Sequence, residues 1–251
     1  MIGVFDSGVG GLSVLVQIRK ALPDADLTYV ADRARAPYGV RSLEEVEAIA
    51  IEIGSALVDR GATCLVVACN TASAAALETL RGRFAVPIVG MEPAVKPAAM
   101  ASLSGKVAVV ATAATFQGRL FESVVSRFAR DVEVMTAACP QWVELVESGV
   151  VSGEVAEAAV ADVLGPMVAD GADVVVLACT HFSFLSKVIT DLFPVQVIDP
   201  APAVAAQTAR VAPDVDGAGS LALFATGEVG EFGRLAAALA SIGEPVIPFA
   251  P

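Results

Sequence analysis

Two cysteines, Cys69 and Cys179, stand in matching sequence contexts that could support proton-transfer chemistry. Residues 65–71 read LVVACNT and residues 175–181 read VVLACTH, so each cysteine follows an apolar run and precedes a polar pair. In open α/β sheets, ligands bind at the carboxyl ends of strands, and the N–H groups that open the following helix favour a thiolate. The match predicts two copies of one half-site, each with a thiol at a strand end.

Two thiols that face one crevice can invert a stereocentre. One thiolate removes a proton from carbon, and the other thiol supplies a proton from the opposite face. The pKa of an ordinary thiol is ~8.5, and we expect helix N-termini to bring Cys69 and Cys179 within reach of neutral pH. This arrangement calls for no metal and no cofactor. Cys64 and Cys139 are predicted to be core residues, because cysteine is among the most buried residue types.

A glycine-rich turn leaves a different chemistry open. Residues 8–13 read GVGGLS after the first predicted strand, and Asp32 ends the next, which approximates the fingerprint of a nucleotide-dependent dehydrogenase. Ser13 replaces the third glycine, and Asp6 would crowd a pyrophosphate. This interpretation also leaves the paired cysteines unexplained. An amino-acid-binding module, which would need neither thiol, is the other alternative.

Short Val/Ile/Leu runs alternate with helical patterns, which is typical of parallel sheets covered by helices on both faces. The predicted strands are residues 2–5, 27–30, 64–68, 87–89, 107–111, 132–135, 174–178, 195–198, 221–224 and 245–247. The predicted helices include residues 43–60, 72–83, 116–130, 155–169 and 228–240. Ser42 and Glu45 form a capping box that begins the first of these, and Gly61 suits its end.

Ten strands are many for one sheet, and two proline-rich segments, residues 90–97 and 199–202, suggest crossings between domains. We predict an α/β protein with two similar doubly wound parallel-sheet domains and the active site in the cleft between them. The outer domain is predicted to comprise residues 1–92 plus 208–251 and to carry Asp6 and Cys69. Residues 93–207 would form an inserted domain that carries Cys179 and His181.

Composition narrows the class of partner. The 251 residues carry 16 Lys and Arg against 28 Asp and Glu, a formal charge of −12, and 55% are hydrophobic. That balance argues against nucleic acid as the primary ligand and against a disordered chain. No apolar run reaches the ~18 residues of a membrane span, and residues 1–6 lack a basic region, so we expect a cytoplasmic protein with reduced cysteines.

The motifs together resemble the glutamate racemases of the cofactor-independent aspartate/glutamate racemase superfamily. The resemblance runs nearly end to end, and its joint order and spacing are highly specific. It rests on residues 2–12, 32–39, 68–73, 111–115, 139–140, 145–149, 178–181, 198–199, 226–228 and 232.

The resemblance implies roles for individual residues. Cys69 and Cys179 would be the two catalytic acid–bases, assisted by Asp6 and His181, the only histidine. The ammonium and carboxylates of a small-molecule substrate would be held by Asp6, Ser7, Tyr38, Gly39, Asn70, Thr71, Thr180 and His181. Behind these, Asp32 and Glu147 would be acids near the ammonium.

The implied function is interconversion of L- and D-glutamate, which supplies D-glutamate for peptidoglycan, with neither metal nor cofactor. Aspartate or another acidic amino acid is an alternative substrate, and a one-thiol decarboxylase or isomerase of the same fold is an alternative activity. The protein could assemble as a homodimer. Four positions depart from the family pattern, namely Ala36, Phe182, Ser183 and Pro200. We expect Phe182 and Ser183, which replace Tyr and Pro, to loosen the start of the second helix or to change a contact between the domains.

Overall fold

The computed structural model describes residues 1–129, 131–213 and 215–250. Its strands are β1 (Ile2–Asp6), β2 (Leu27–Ala31), β3 (Cys64–Val67), β4 (Ile88–Gly90), β5 (Lys106–Ala111), β6 (Glu133–Ala138), β7 (Val174–Ala178), β8 (Gln196–Ile198), β9 (Leu221–Ala225) and β10 (Val246–Pro248). All ten predicted strands are confirmed, with boundaries that differ by at most three residues.

The strands form two sheets. One has six strands in the order β10-β9-β2-β1-β3-β4, and the other has four in the order β6-β5-β7-β8. Every pairing is parallel, with registers such as Val4 opposite Tyr29 and Ala108 opposite Val175. The predicted fold class, two parallel-sheet α/β domains, is therefore confirmed.

Helices connect successive strands, as the crossover connections between parallel strands require. They are α1 (Leu12–Ala21), α2 (Leu43–Asp59), α3 (Asn70–Arg83), α4 (Val95–Ala101), α5 (Ala113–Gln117), α6 (Arg119–Phe128), α7 (Pro140–Glu147), α8 (Glu154–Ala169), α9 (Ser186–Leu192), α10 (Ala201–Val211) and α11 (Val229–Ala240). Three 3-10 segments lie at Arg33–Arg35, Tyr38–Val40 and Thr180–Leu185. In the described part of the chain, no helix combines the length and the apolar character needed to cross a membrane.

The capping box of α2 is present, with Ser42 accepting from the Glu45 N–H and Glu45 accepting from the Ser42 N–H. The single helix predicted over residues 116–130 is wrong: α5 and α6 are separate helices. Gly118 between them is extended, and a Cβ there would lie 2.8 Å from Cβ of Ala74, so the break allows close packing on α3. Residue 130 lies outside the described residues.

Alternate residues of the central strands enter different cores, as the period of two in a strand requires. Val4 of β1 packs into the largest core and Phe5 into a second one on the other face. In the other sheet, Ala108 of β5 joins that same largest core, whereas Val109 faces a third. One apolar core thus runs beneath both sheets.

Helix α10 packs against α1, so the chain returns to the six-stranded sheet before β9 begins. The division into residues 1–92 plus 208–251 and residues 93–207 stays a prediction.

Candidate active site

A cavity of about 400 Å³ lies between the two sheets, where β1, β3, β5 and β7 end. Parallel strands place their carboxyl ends at one edge, so the residues that follow them converge there. Of the predicted site residues, those lining the cavity are Ser7, Tyr38, Gly39, Cys69, Asn70, Thr71, Glu147, Cys179, Thr180 and His181. Asp6 and Asp32, both fully buried, lie behind the lining.

Cys69 is the residue that caps the N-terminus of α3. Its Sγ accepts the N–H of Ala72 across 3.5 Å and lies 4.0 Å from Oγ of Ser7. Burial raises the pKa of this thiol well above its usual range, and the Asp6 carboxylate raises it further, against the lowering effect of the Ala72 N–H. The expectation that the helix end brings the Cys69 pKa toward neutrality is therefore wrong, because removal from water outweighs it.

Asp6, at the end of β1, lies beside Cys69. Its Oδ2 accepts the N–H of Gly11 across 2.6 Å, and its Oδ1 has no partner among the described residues. Burial raises the pKa of Asp6, against the lowering effects of His181 and of the Gly11 N–H. A carboxyl group with a raised pKa can hold a proton next to the thiol.

Cys179 follows β7 but does not open an α-helix. The segment Thr180–Leu185 is a 3-10 helix, and α9 begins only at Ser186, so the predicted likeness of the two half-sites is wrong at this point. The Cys179 Sγ lies 3.7 Å from Nδ1 of His181 instead. The two thiols therefore have different polar partners, the Ala72 N–H for Cys69 and the His181 ring for Cys179.

His181 connects Cys179 to Glu147. Its Nε2 lies 2.7 Å from Oε1 of Glu147, on the far side of the ring from the thiol. Burial lowers the pKa of His181, but the hydrogen bonds with Cys179 and Glu147 outweigh burial and hold the pKa well above its usual range. The imidazole therefore favours its charged form.

Glu147, the last residue of α7, reaches across the cleft. Its Oε1 also accepts the N–H of Val9 across 2.9 Å, and its Oε2 lies 3.5 Å from Nε of Arg33. Burial raises the pKa of Glu147, and His181, the Val9 N–H and Arg33 together lower it below its usual value. Sequence reasoning placed this carboxylate behind the site, whereas it lines the cavity.

Asp32 and Tyr38 form a fixed pair in the wall of the cavity. The Tyr38 hydroxyl donates to Oδ2 of Asp32 across 2.6 Å, and Arg35 donates to the same oxygen across 2.7 Å. Oδ1 of Asp32 accepts from the Thr226 hydroxyl across 2.8 Å. Burial and the nearby Asp32 raise the pKa of Tyr38. The Tyr38 hydroxyl is thus already bonded to the protein, although Tyr38 and Gly39 both line the cavity.

Asn70 and Thr71 open α3 beside Cys69. Both side-chain polar atoms of Asn70 are buried without a partner among the described residues. The Thr71 hydroxyl lies 2.9 Å from that of Thr112, which caps α5. Thr112 and Ala113 also line the cavity. Neither was predicted as a site residue, although the strand-to-helix pattern of residues 107–112 carried the signal.

The glycine-rich turn is filled by this chain's own side chains. A Cβ on Gly8 would clash with Oε1 of Glu147, and one on Gly10 would lie 2.5 Å from Nδ1 of His181. The N–H groups of Val9 and Gly11 donate to carboxylates. The turn leaves no room for a pyrophosphate, which argues against the dehydrogenase alternative.

Among the remaining positions singled out in the sequence, Ala36 lines the cavity, whereas Cys64, Cys139 and Phe182 lie in the core. Burial raises the pKa of Cys64 to about 11 and that of Cys139 to about 12, and both thiols lie in the largest core. Phe182 is fully buried with its ring edge-on to Trp142, 5.0 Å between centroids. The aromatic ring at this departure from the family pattern anchors the 3-10 segment in the core.

The chain is similar to known proteins in both sequence and fold. Residues 2–208 match the family described as Asp/Glu/Hydantoin racemase. A glutamate racemase of Pseudomonas paraeruginosa is 48% identical over 84% of this chain and 80% of its own length. One from Herpetosiphon aurantiacus is 42% identical over 93% of this chain and 95% of its own.

The fold is likewise similar to a crystal structure of Escherichia coli glutamate racemase in complex with L-glutamate and the activator UDP-MurNAc-Ala. The two share 33% identity and a TM-score of 0.89 over 98% of this chain and 96% of the other. The family match covers most of the chain, and the relatives exceed 40% identity over more than four fifths of it. The chain belongs to the Asp/Glu/Hydantoin racemase family.

Proposed function

We propose that this protein is a glutamate racemase, an isomerase that interconverts L- and D-glutamate by proton transfer at the α-carbon. The observation that carries the proposal is the pair of thiols, Cys69 after β3 and Cys179 after β7, which come from two different sheets and line one cavity. A cavity with one acid–base on each sheet suits a reaction that must reach both faces of one carbon.

In the proposed mechanism, one thiolate takes the α-proton and the electron pair of the C–H bond delocalises into the α-carboxylate. The other thiol then donates a proton to the opposite face, which re-forms a C–H bond with inverted configuration. The first cysteine ends as the thiol and the second as the thiolate, so the roles exchange in the reverse direction. The two sulfurs supply both proton-transfer groups, and no cofactor enters the scheme.

Asp6 and His181 assist the two sulfurs in different ways. Asp6 has a raised pKa beside Cys69 and can exchange a proton with that thiol. His181, with a raised pKa, stabilises a thiolate at Cys179 across 3.7 Å. General acid–base catalysis by positioned groups contributes typically 10²–10⁴-fold in rate, so both assistants matter.

Substrate recognition would use neutral polar groups. The hydroxyls of Ser7, Thr71 and Thr180 line the cavity. The amide of Asn70 is buried with no hydrogen-bond partner in the described part of the chain, and a buried polar group costs free energy until it is bonded. These groups, with backbone N–H groups, can bind the two carboxylates and the ammonium. The ammonium would also favour the thiolate of Cys69, whose pKa burial raises.

The biological role follows from the product. D-Glutamate would enter peptidoglycan synthesis, and we assign the protein to the cytoplasm, where a small soluble amino acid is available to it.

Exchange of the α-hydrogen in D₂O is the deciding experiment. We expect L-glutamate to lose optical activity without added cofactor and to acquire deuterium at Cα. Cys69→Ala and Cys179→Ala should each abolish racemisation, and Cys64→Ala, at a core thiol outside the cavity, is the matched control. L-Aspartate, run in parallel, tests the alternative substrate.

Retained optical activity of L-glutamate would overturn the proposal, and binding without exchange would favour the amino-acid-binding module. Full activity in either cavity-cysteine variant would exclude the two-thiol mechanism.

A further inference from the structure

Arg33 is the only Lys or Arg among the described residues that line the cavity. It belongs to the 3-10 segment Arg33–Arg35, directly after Asp32, and its side chain is 12% exposed. A cation in such a position would ordinarily be expected to bind a carboxylate of the substrate. Its contacts indicate a different role.

The guanidinium of Arg33 already lies between two carboxylates of the chain. Its Nη1 donates to Oε2 of Glu231, in the first turn of α11, across 2.9 Å. Its Nε lies 3.5 Å from Oε2 of Glu147, at the end of α7. The group thus joins a helix beside the six-stranded sheet to a helix beside the four-stranded sheet.

Glu147 connects Arg33 to His181. One of its oxygens, Oε2, faces Arg33, while the other, Oε1, bonds Nε2 of His181. The imidazole in turn contacts the Cys179 sulfur through Nδ1. A cation on one oxygen of a carboxylate reduces the pull of the other oxygen on a proton, because the two oxygens share one negative charge.

We propose that Arg33 is a positioning residue that sets the protonation of the His181–Cys179 pair through Glu147. This inference rests on the proposed function for its catalytic meaning. The ion pairs that it requires are independent of the substrate.

The contacts that run from Arg33 through Glu147 to His181 and Cys179 form a relay. The other charged and titratable groups that interact with it are Glu231 on α11, Asp6 on β1, Tyr29 on β2, Cys69 after β3 and Cys139 before α7. Among all these groups, Arg33 is the only permanent cation. Removing its charge should therefore strengthen the hold of Glu147 on the His181 proton.

Arg33→Met keeps much of the apolar stem and removes the charge, and Arg33→Lys restores a cation. Arg19→Met is the matched control, since Arg19 pairs with Glu244 at the surface across 3.0 Å. Glu231→Gln removes the other carboxylate that pairs with Arg33 and leaves Glu147 unchanged. Because Glu231 is half-exposed, this variant should fold even if Arg33→Met does not, and it tests the same contacts.

The single histidine makes the primary readout direct, because its ring signals in NMR belong to His181 alone. In Arg33→Met we expect the Nε2 proton to move downfield and the titration midpoint of the ring to rise by roughly 0.5–1 pH unit. Arg33→Lys should lie close to the unchanged protein, and Arg19→Met should match it. Glu231→Gln should shift the midpoint in the opposite direction, since Arg33 then acts on Glu147 alone.

Racemisation supplies the second readout. Because the charged imidazole stabilises the Cys179 thiolate, the alkaline limb of the kcat/KM profile should move upward with the His181 midpoint in Arg33→Met and return in Arg33→Lys. Unchanged His181 signals in Arg33→Met, or a midpoint that rises in Glu231→Gln, would overturn the proposal. A raised KM with unshifted His181 signals would instead make Arg33 a substrate ligand. If neither the unchanged protein nor any variant racemises glutamate but the His181 signals shift as expected, the proposed function fails and the effect of Arg33 on His181 stands.

Discussion

The Tyr38 hydroxyl donates to Oδ2 of Asp32 across 2.6 Å, and both side chains are buried. Tyr38→Phe should remove one hydrogen bond to a buried carboxylate, which typically contributes about 1.5–3 kcal/mol. Arg35 and Thr226 still bond Asp32, so we expect a folded protein with a lower Tm and a KM several-fold higher. Denaturant unfolding and steady-state racemisation measure the two effects. An unchanged KM would show that the pair has no influence on the substrate.

Because the carboxyl of Asp6 is buried, replacing Asp6 by Asn should stabilise the protein and reduce its activity. Its pKa is raised in the folded protein, so the folded state binds the proton more tightly than the unfolded state does. Its contribution to stability therefore falls as the pH rises from about 4 through the folded pKa. We expect Asp6→Asn to raise Tm more at pH 8 than at pH 5 and to reduce kcat.

Thermal unfolding at the two pH values, with racemisation measured in parallel, checks this prediction. Equal Tm changes at pH 5 and pH 8 would contradict it.

Asp173 predicts the opposite pH dependence at a site remote from the cavity. Burial raises the pKa of Asp173, but hydrogen bonds from the Ser102 hydroxyl and from the N–H groups of Leu103 and Ser104 outweigh burial and lower this pKa to about 2. The stability that it contributes is present above about pH 4 and is lost as the pH falls toward 2. Asp173→Asn should lower Tm at pH 7 and flatten acid unfolding, with kcat unchanged.

Asp170→Asn, at an exposed ion pair with Lys106, is the control and should change little. Identical acid-unfolding curves for the two variants would argue against a special role of Asp173.

Gly8 tests the close approach of the two sheets. A Cβ there would displace the Glu147 carboxylate from Val9 and His181. We expect Gly8→Ala to lower kcat/KM by about 100-fold, since small misplacements of catalytic groups carry such losses. Gly82→Ala, in α3 with nothing near its Cβ, should keep full activity and gain about 0.5–1 kcal/mol of stability. Comparable activity in both variants would exclude steric closure as the reason for glycine at position 8.

Local patterns in the sequence predicted what depends on local structure. Short apolar runs separated by helical patterns predicted the location of each described strand. The position of Cys69 and Cys179 after two of these strands predicted a shared cavity. The position of Glu147 could not be predicted, because its bond to Val9 joins residues 138 apart. The high pKa of Cys69 was missed for a similar reason, since only the packed structure shows how far the thiol is removed from water.

The apolar core that runs beneath both sheets has a mechanical consequence. Leu12 and Leu15 of α1 share that core with Phe182, whereas at the cavity the sheets are joined by polar contacts such as Thr71 to Thr112. A hydrogen bond exchanged for water costs about 0.5–1.5 kcal/mol, but exposing apolar surface costs about 25 cal/mol per Å². A rotation that parts the sheets therefore costs least when it pivots on the apolar side, so the cavity can admit and release a small molecule while the hydrophobic core stays dry.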